Sequence, residues 1–360
     1  MPSKKERPTT PTIRDVAQTA GVSPATVSRV LNNYAFIRPE VRANVLNAIR
    51  TLGYEPNRVA QRLRSTRSLI IGFIVTDITN PFLNTVMSTV ESIFFEHGYS
   101  VLMSNTGANA QKELDYLSMM EAEEAAGIVV IPTSEDVDRI AEMAAGGMPI
   151  VVIDRHMVTD TIDCVLSDNV AGAFSAVDHL IRLGHRQIGH IGGPLYLTSG
   201  RERYQGYLQA MAAAGLPVHD TWVRFGNHKY ESGYQQTVEL TRDHPEVTAL
   251  FIENNMMSLG ALTALQDLRR RVPDDVAVVG FDDTPWSTLL NPPLSVVAQS
   301  TAEIGRRAAA LLLERIKQPD LPARTELLPT TLIVRASCGA KRPLEMVEPK
   351  GGPGVDQNTV

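Results

Sequence analysis

Between Thr12 and Leu31 the apolar residues recur at helical spacing. Ile13, Val16, Ala17 and Ala20 share one face, which predicts a short helix with that face buried. Thr12 stands at its start with Asp15 three places on, a pairing that satisfies free N–H groups of a first turn. Gly21 tolerates the positive φ that ends many helices. Ser23 followed by Pro24 then reads as a cap and a first helical position. In the second helix Val27, Val30 and Leu31 face inward, leaving Pro24, Ala25, Thr26, Ser28 and Arg29 outside. A third helix is predicted over Pro39–Leu52, with Val41, Val45, Leu46, Ile49 and Leu52 as its stripe. Two short helices around a tight turn, the second presenting small polar groups and one arginine, suit the major groove of DNA.

After Ser68 the pattern changes. Leu69–Val75 is a near-continuous apolar run, as expected for a strand covered on both faces. Similar runs occur at 127–131, 149–153, 187–191, 248–252 and 276–280, with helical patterns at 82–97, 170–183, 201–214, 258–270 and 301–317. Strands alternating with helices predict parallel sheet with helices on both faces, where ligands bind at the carboxyl ends of the strands.

Charge divides the chain at the same place. Residues 1–67 hold 12 of the 34 Lys and Arg but only 4 of the 40 Asp and Glu, a balance of +8 against −14 for the remainder. A basic head beside an acidic body fits phosphate neutralisation by the head alone. Two cysteines, Cys164 and Cys338, make no disulfide framework. The polar N-terminus lacks a signal-peptide core, and no run reaches the roughly 18 apolar residues of a membrane span. These features point to a cytoplasmic protein with no membrane association.

The segments TVSRVLN (26–32), GYEPN (53–57) and VAQRLR (59–64), together at this spacing, resemble the lac repressor/galactose repressor family of bacterial transcription regulators. The resemblance extends over about residues 12–340. It implies an all-α helix-turn-helix head followed by a two-lobed α/β sensor similar to periplasmic binding proteins of type I. The implied order is a disordered tail at 1–11, the head at 12–56, a hinge helix and linker at 57–67, the sensor and dimerisation domain at 68–340, and a disordered tail at 341–360. Within the sensor the resemblance implies an N-lobe of about 68–165 plus 299–324 and a C-lobe of about 166–298 plus 325–340. Crossings between lobes are expected near 163–168, 296–301 and 324–328.

The same resemblance implies DNA contacts from Thr12, Ser23, Pro24, Ala25, Thr26, Ser28, Arg29 and Asn32 in the head, and from Asn57, Val59, Ala60 and Leu63 in the hinge. Pro24 and Ala25 cannot read a base edge by hydrogen bonding, which leaves Arg29 as the main direct reader. Leu63 would enter the minor groove as a wedge beside its counterpart from a second subunit. An isolated helix of this length does not hold in water, so the hinge would form only on DNA. In the sensor, Asn80, Phe82, Asp154, Arg155, Arg203, Asn254, Asp282 and Gln299 would line the interlobe cleft. Carboxylates, amides and guanidinium forks together suit a sugar, whose hydroxyls donate and accept, while Phe82 offers a face to an apolar ring side.

Two positions depart from the family pattern. Asn255 stands where many relatives have Asp, a change that bears on ligand or lobe packing, and Arg38 stands where a Ser or Thr cap often precedes the third helix. The tail lacks a leucine heptad of the tetramer-forming kind, so a homodimer on a palindromic operator is expected. The expected function is a repressor of sugar metabolism genes, controlled by a sugar-type effector and needing no cofactor or metal. A transport-type sugar-binding protein, and a regulator answering to a co-repressor or protein partner, are the alternatives. No Gly-rich phosphate loop, metal-ligand cluster or nucleophile elbow favours an enzyme.

Overall fold

The computed structural model describes residues 11–31, 36–54, 68–133, 137–157 and 160–340. The chain divides into two compact units, Met1–Ser68 and Leu69–Val360.

In the first unit, α1 (Ile13–Ala20) ends at Gly21 in the left-handed region (φ 67°), and α2 (Pro24–Leu31) follows after three residues. Asp15 accepts from both the backbone N–H (2.7 Å) and the hydroxyl (2.8 Å) of Thr12, while Ser23 Oγ accepts from Thr26 N at 3.2 Å. Both starts are therefore capped, as the spacing predicts. The third helix, α3 (Pro39–Leu52), starts at Arg38 with no side-chain cap. Val16, Ala17, Val27, Val30, Val45 and Ala48 form the small core. Leu46, expected on the buried stripe, is exposed; Ala48 takes the inner place because it lies three residues from Val45, on the same helix face.

The second unit contains two six-stranded sheets. Its elements in chain order are β1 (Ile70–Val75), α4 (Pro81–Glu96), β2 (Ser100–Asn105), α5 (Ala110–Ala122), β3 (Gly127–Val130), α6 (Asp138–Ala145), β4 (Ile150–Ile153), β5 (Asp163–Ser167), α7 (Asn169–Arg182), β6 (Ile188–Gly192), α8 (Thr198–Ala213), β7 (Val223–Phe225), α9 (Tyr230–Asp243), β8 (Ala249–Ile252), α10 (Asn255–Asp267), β9 (Ala277–Phe281), β10 (Ser295–Gln299), α11 (Thr301–Lys317), β11 (Thr325–Leu328) and β12 (Thr330–Ile333). The first sheet has the order β11-β5-β4-β3-β1-β2 and the second β12-β10-β9-β8-β6-β7. Among the described residues every pairing is parallel except β10 with β12. Each sheet carries an apolar cluster on both faces, which explains why β3, β4, β5 and β8 are buried throughout.

Among the described residues the chain passes between the sheets three times, each time through one residue. Asp168 lies between β5 and α7, Ser300 between β10 and α11, and Pro329 between β11 and β12. The crossings bond to one another: Asp168 N donates to Leu328 O (2.8 Å), Thr330 Oγ1 to Asp168 O (3.2 Å) and Ser300 Oγ to Pro329 O (3.3 Å). Residues 325–328 belong to the first sheet and not, as expected, to the second lobe. They pair in parallel with β5, from Thr325 opposite Cys164 to Leu328 opposite Ser167, and complete that edge.

Candidate functional site

On the head, Pro24, Ala25 and Arg29 are exposed and Thr26 and Ser28 half-buried, while Val27 and Val30 point into the core. Thr12 and Ser23 are exposed at the two helix starts. The outer face of α2 thus consists of the small polar groups and arginine named from the sequence. A concavity beside it is lined by Thr26, Arg29, Phe36, Ile37, Arg38 and Val41, with Phe36 fully exposed. Phe36 leaves no periodic signal in the sequence, because the stripe of α3 begins only at Val41. Asn32, Asn57, Val59, Ala60 and Leu63 lie outside the described residues.

In the second unit the strand ends of the two lobes face a cavity of about 440 Å³. All eight residues expected in the cleft line it: Asn80, Phe82, Asp154, Arg155, Arg203, Asn254, Asp282 and Gln299. They come from both lobes. Asn80 and Phe82 follow β1, Asp154 and Arg155 follow β4, Arg203 lies on α8, Asn254 follows β8, Asp282 follows β9, and Gln299 ends β10.

Several of the eight already have protein partners. Asn80 caps α4, its Oδ1 accepting from Phe82 N at 3.0 Å. Asn254 caps α10 by accepting from Met257 N (2.9 Å), and its Nδ2 donates to His228 O (2.9 Å). Gln299 bridges the lobes at a crossing: its Oε1 accepts from Ser167 Oγ and its Nε2 donates to Asp282 Oδ1, both at 2.5 Å. Phe82 is buried in the first lobe's core and shows the cavity only part of its ring.

The charged groups are less completely matched. Arg155 is buried; its Nη1 pairs with the Asp154 carboxylate and donates to Asp154 O (2.7 Å) and Ser199 Oγ (3.0 Å). Its Nε is buried without a partner among the described residues. Such an N–H costs about 1–3 kcal/mol. Arg203 donates from Nε to Asn169 Oδ1 (2.9 Å) and from Nη1 to Glu253 O (2.7 Å), with its guanidinium 3.9 Å above the Phe281 ring. Among the described residues no carboxylate oxygen lies within 4.0 Å of it. Burial pushes the Asp282 carboxyl above its ordinary range, against the pull of Arg203 and the Gln299 amide. Two guanidiniums and a buried carboxyl therefore face a polar cavity with hydrogen-bonding capacity to spare.

Backbone strain is concentrated here. Six described residues other than glycine have positive φ, and four of them (Ala108, Asp154, His228 and Asp282) line the cavity. Such conformations cost about 1–3 kcal/mol each and persist where the surroundings hold them.

Matches to known proteins cover both units. Residues 12–57 match the model of bacterial regulatory proteins, lacI family, and residues 177–338 that of the periplasmic binding protein-like domain. An HTH-type transcriptional repressor, PurR, of Mannheimia succiniciproducens is 33% identical over 327 residues, covering 91% of this chain and 98% of that protein. The chain belongs to the lacI family of bacterial regulatory proteins. Among solved structures, a CelR transcriptional regulator in complex with cellobiose is 32% identical, with a TM-score of 0.70 and coverage of 91% and 99%. The lac repressor dimer bound to operator and the anti-inducer ONPF is 29% identical, with a TM-score of 0.82 and coverage of 92% and 100%.

As a lacI-family protein the chain is a DNA-binding transcriptional repressor, a non-enzymatic role. The cavity of this regulator also contains residues that the sequence reading passed over, including Thr133, Tyr196, Ser199 and His228. Ser199 was within reach, since it precedes Arg203 by four residues on α8 and so shares its face. His228 follows β7, a three-residue strand too short to leave a periodic signal.

Proposed function

We propose that this repressor binds a palindromic operator as a homodimer, and that a sugar between its two lobes sets its affinity for DNA. The convergence of eight polar and aromatic residues from both lobes on one cavity carries the reading. A ligand touching both lobes binds one lobe arrangement better than another, and only such differential affinity shifts an equilibrium. Asp154, Asp282, Arg155, Arg203 and Ser199 supply the mixed donors and acceptors that a polyol needs, and Phe82 and Tyr196 the apolar faces. The cellobiose complex of the CelR relative supports the same class.

In this account Arg29 reads base edges in the major groove, with Thr12, Ser23, Thr26, Ser28 and Asn32 around it fixing the helix on the duplex. Leu63, with Asn57, Val59 and Ala60 beside it, acts from the hinge in the minor groove. A dimer surface is available on the first lobe. Leu102 and Met103 are exposed on edge strand β2, and Phe95 is exposed near the end of α4, which packs on β2. A twofold contact there would cover an edge that would otherwise remain open.

A thermal-shift screen of the full-length protein against pentoses, hexoses, disaccharides, sugar acids and sugar phosphates tests the effector class. One strongly stabilising sugar is the expected result, because a ligand of the folded state raises stability by mass action. If no sugar stabilises the protein while a nucleobase does, the sugar reading fails and a flat heteroaromatic co-repressor replaces it.

A further inference from the structure

The second lobe contains a fully buried carboxylate that the effector reading does not use. Glu253, directly after β8, accepts from the backbone N–H of Gly193 through Oε2 and from His228 Nε2 through Oε1 at 3.2 Å. Gly193 opens the loop between β6 and α8 that includes Tyr196, and His228 stands between β7 and α9; both Tyr196 and His228 line the cavity. The cluster has no slack: a Cβ on Gly193 would lie 1.9 Å from His228 Nε2 and 2.8 Å from Glu253 Oε1. Beneath it, 4.0 Å from the carboxylate, His190 is stacked on Tyr204, Tyr207 and Phe251, and burial pushes its pKa down to about 4. His190 is therefore a neutral neighbour at ordinary pH; Arg203 also acts on the Glu253 carboxylate, and the Asp282 carboxyl interacts with His228.

We infer that Glu253 is a positioning residue of the effector cleft, which fixes His228 with its proton on Nε2 and so presents Nδ1 to the ligand as a hydrogen-bond acceptor. The inference rests on the cleft being the effector site and refines its chemistry: the effector places a donor, such as a sugar hydroxyl, at that ring nitrogen. An ionised carboxylate only accepts, so the bond between Glu253 and His228 requires Nε2 to be the donor. The proton then leaves Nδ1 bare in the neutral ring. Nδ1 has no protein partner among the described residues and is not among their buried unpartnered atoms, so it is accessible on a residue that lines the cavity.

Glu253→Gln tests this with almost no change of shape. The Gly193 N–H still needs an acceptor, so the new amide turns its oxygen there and its NH₂ group towards His228. The ring must then accept at Nε2 and hold its proton on Nδ1. Long-range proton–nitrogen spectra of full-length protein labelled at histidine, recorded at pH 8 and assigned with His228→Gln, read the tautomer directly. We expect the Nε2–H form in the wild type and the Nδ1–H form in Glu253→Gln. An Nδ1–H form or an imidazolium in the wild type, or the same tautomer in both proteins, overturns the inference. The sugar that stabilises the wild type most should also bind Glu253→Gln at least tenfold more weakly; equal affinity removes the link to the effector. If no sugar binds the wild type, the sugar reading fails, while the tautomers still decide the role of Glu253.

Discussion

Asn255 Nδ2 donates to Asn80 Oδ1 at 2.8 Å, a hydrogen bond between the first turn of α10 in one lobe and the cap of α4 in the other. The amide orientations are not interchangeable. Asn80 must present oxygen, because the same atom accepts from Phe82 N. Asn255 must therefore present nitrogen, and its own Oδ1 is buried without a partner among the described residues. The departure from Asp at this position thus supplies a donor that a carboxylate lacks.

Asn255→Asp should open the lobes, since it sets two acceptors against each other and buries a charge. Spin labels on the exposed residues Ser92 and Gln266, one in each lobe, give the distance between them by pulsed electron resonance. The expected change is a longer and broader distribution in the ligand-free variant. An unchanged distribution means that the bond does not hold the lobes.

A second buried polar cluster stabilises the first lobe. Asp163 is fully buried and pairs with Arg315 (2.9 Å) and Arg324 (3.1 Å). Although burial alone would raise it, the two guanidiniums hold its carboxyl below the usual range. A depressed carboxyl stabilises the fold fully above its unfolded pKa of about 3.9, and that stability is lost as pH falls below it through the folded value. Asp163→Asn leaves Arg315 buried and short of its charge partner, at a cost of about 3–5 kcal/mol. Urea unfolding of both proteins from pH 7 to pH 3 should show the wild type losing part of its advantage over Asp163→Asn below about pH 4. A constant gap would show that Asp163 does not contribute through its charge.

Arg29 is exposed on the outer face of α2 and makes no side-chain hydrogen bond or ion pair among the described residues. Its replacement by alanine should leave the head folded and relax base preference at one position per half-site, by about 1–3 kcal/mol. Selection from a random duplex pool reads this directly; the wild-type motif recovered unchanged would remove Arg29 as reader.

Much of the fold was legible because its signals are strong. The runs that became β1, β3, β4, β6, β8 and β9 are covered on both faces, and a doubly covered strand reads as a near-continuous apolar run, which His190 in β6 interrupts once. β2 went unread because it is an edge strand, with five of its six residues exposed or half-buried and only Ser104 buried. α9, with the sequence YESGYQQTVELTRD, carries too few apolar residues to mark a buried face. The lobe boundary was misplaced at 325–328 because only pairing, which periodicity does not report, assigns β11 to the first sheet. The eight cleft residues were named from resemblance. Glu253 escaped because its meaning depends on two loops, at Gly193 and His228, that are distant in sequence and meet only in the fold.

The most direct test of the account is the anisotropy of a labelled operator duplex, chosen by selection with the wild type and titrated with wild type and Arg203→Ala, with and without the stabilising sugar. Arg203 lies in the cavity and no part of the DNA-reading helix contains it. Without sugar, the two proteins should bind the operator equally. With sugar, the wild type should shift by roughly 5–150-fold, the usual span of allosteric coupling, and the variant not at all. A variant that responds like the wild type, or that loses operator binding before any sugar is added, would contradict the account.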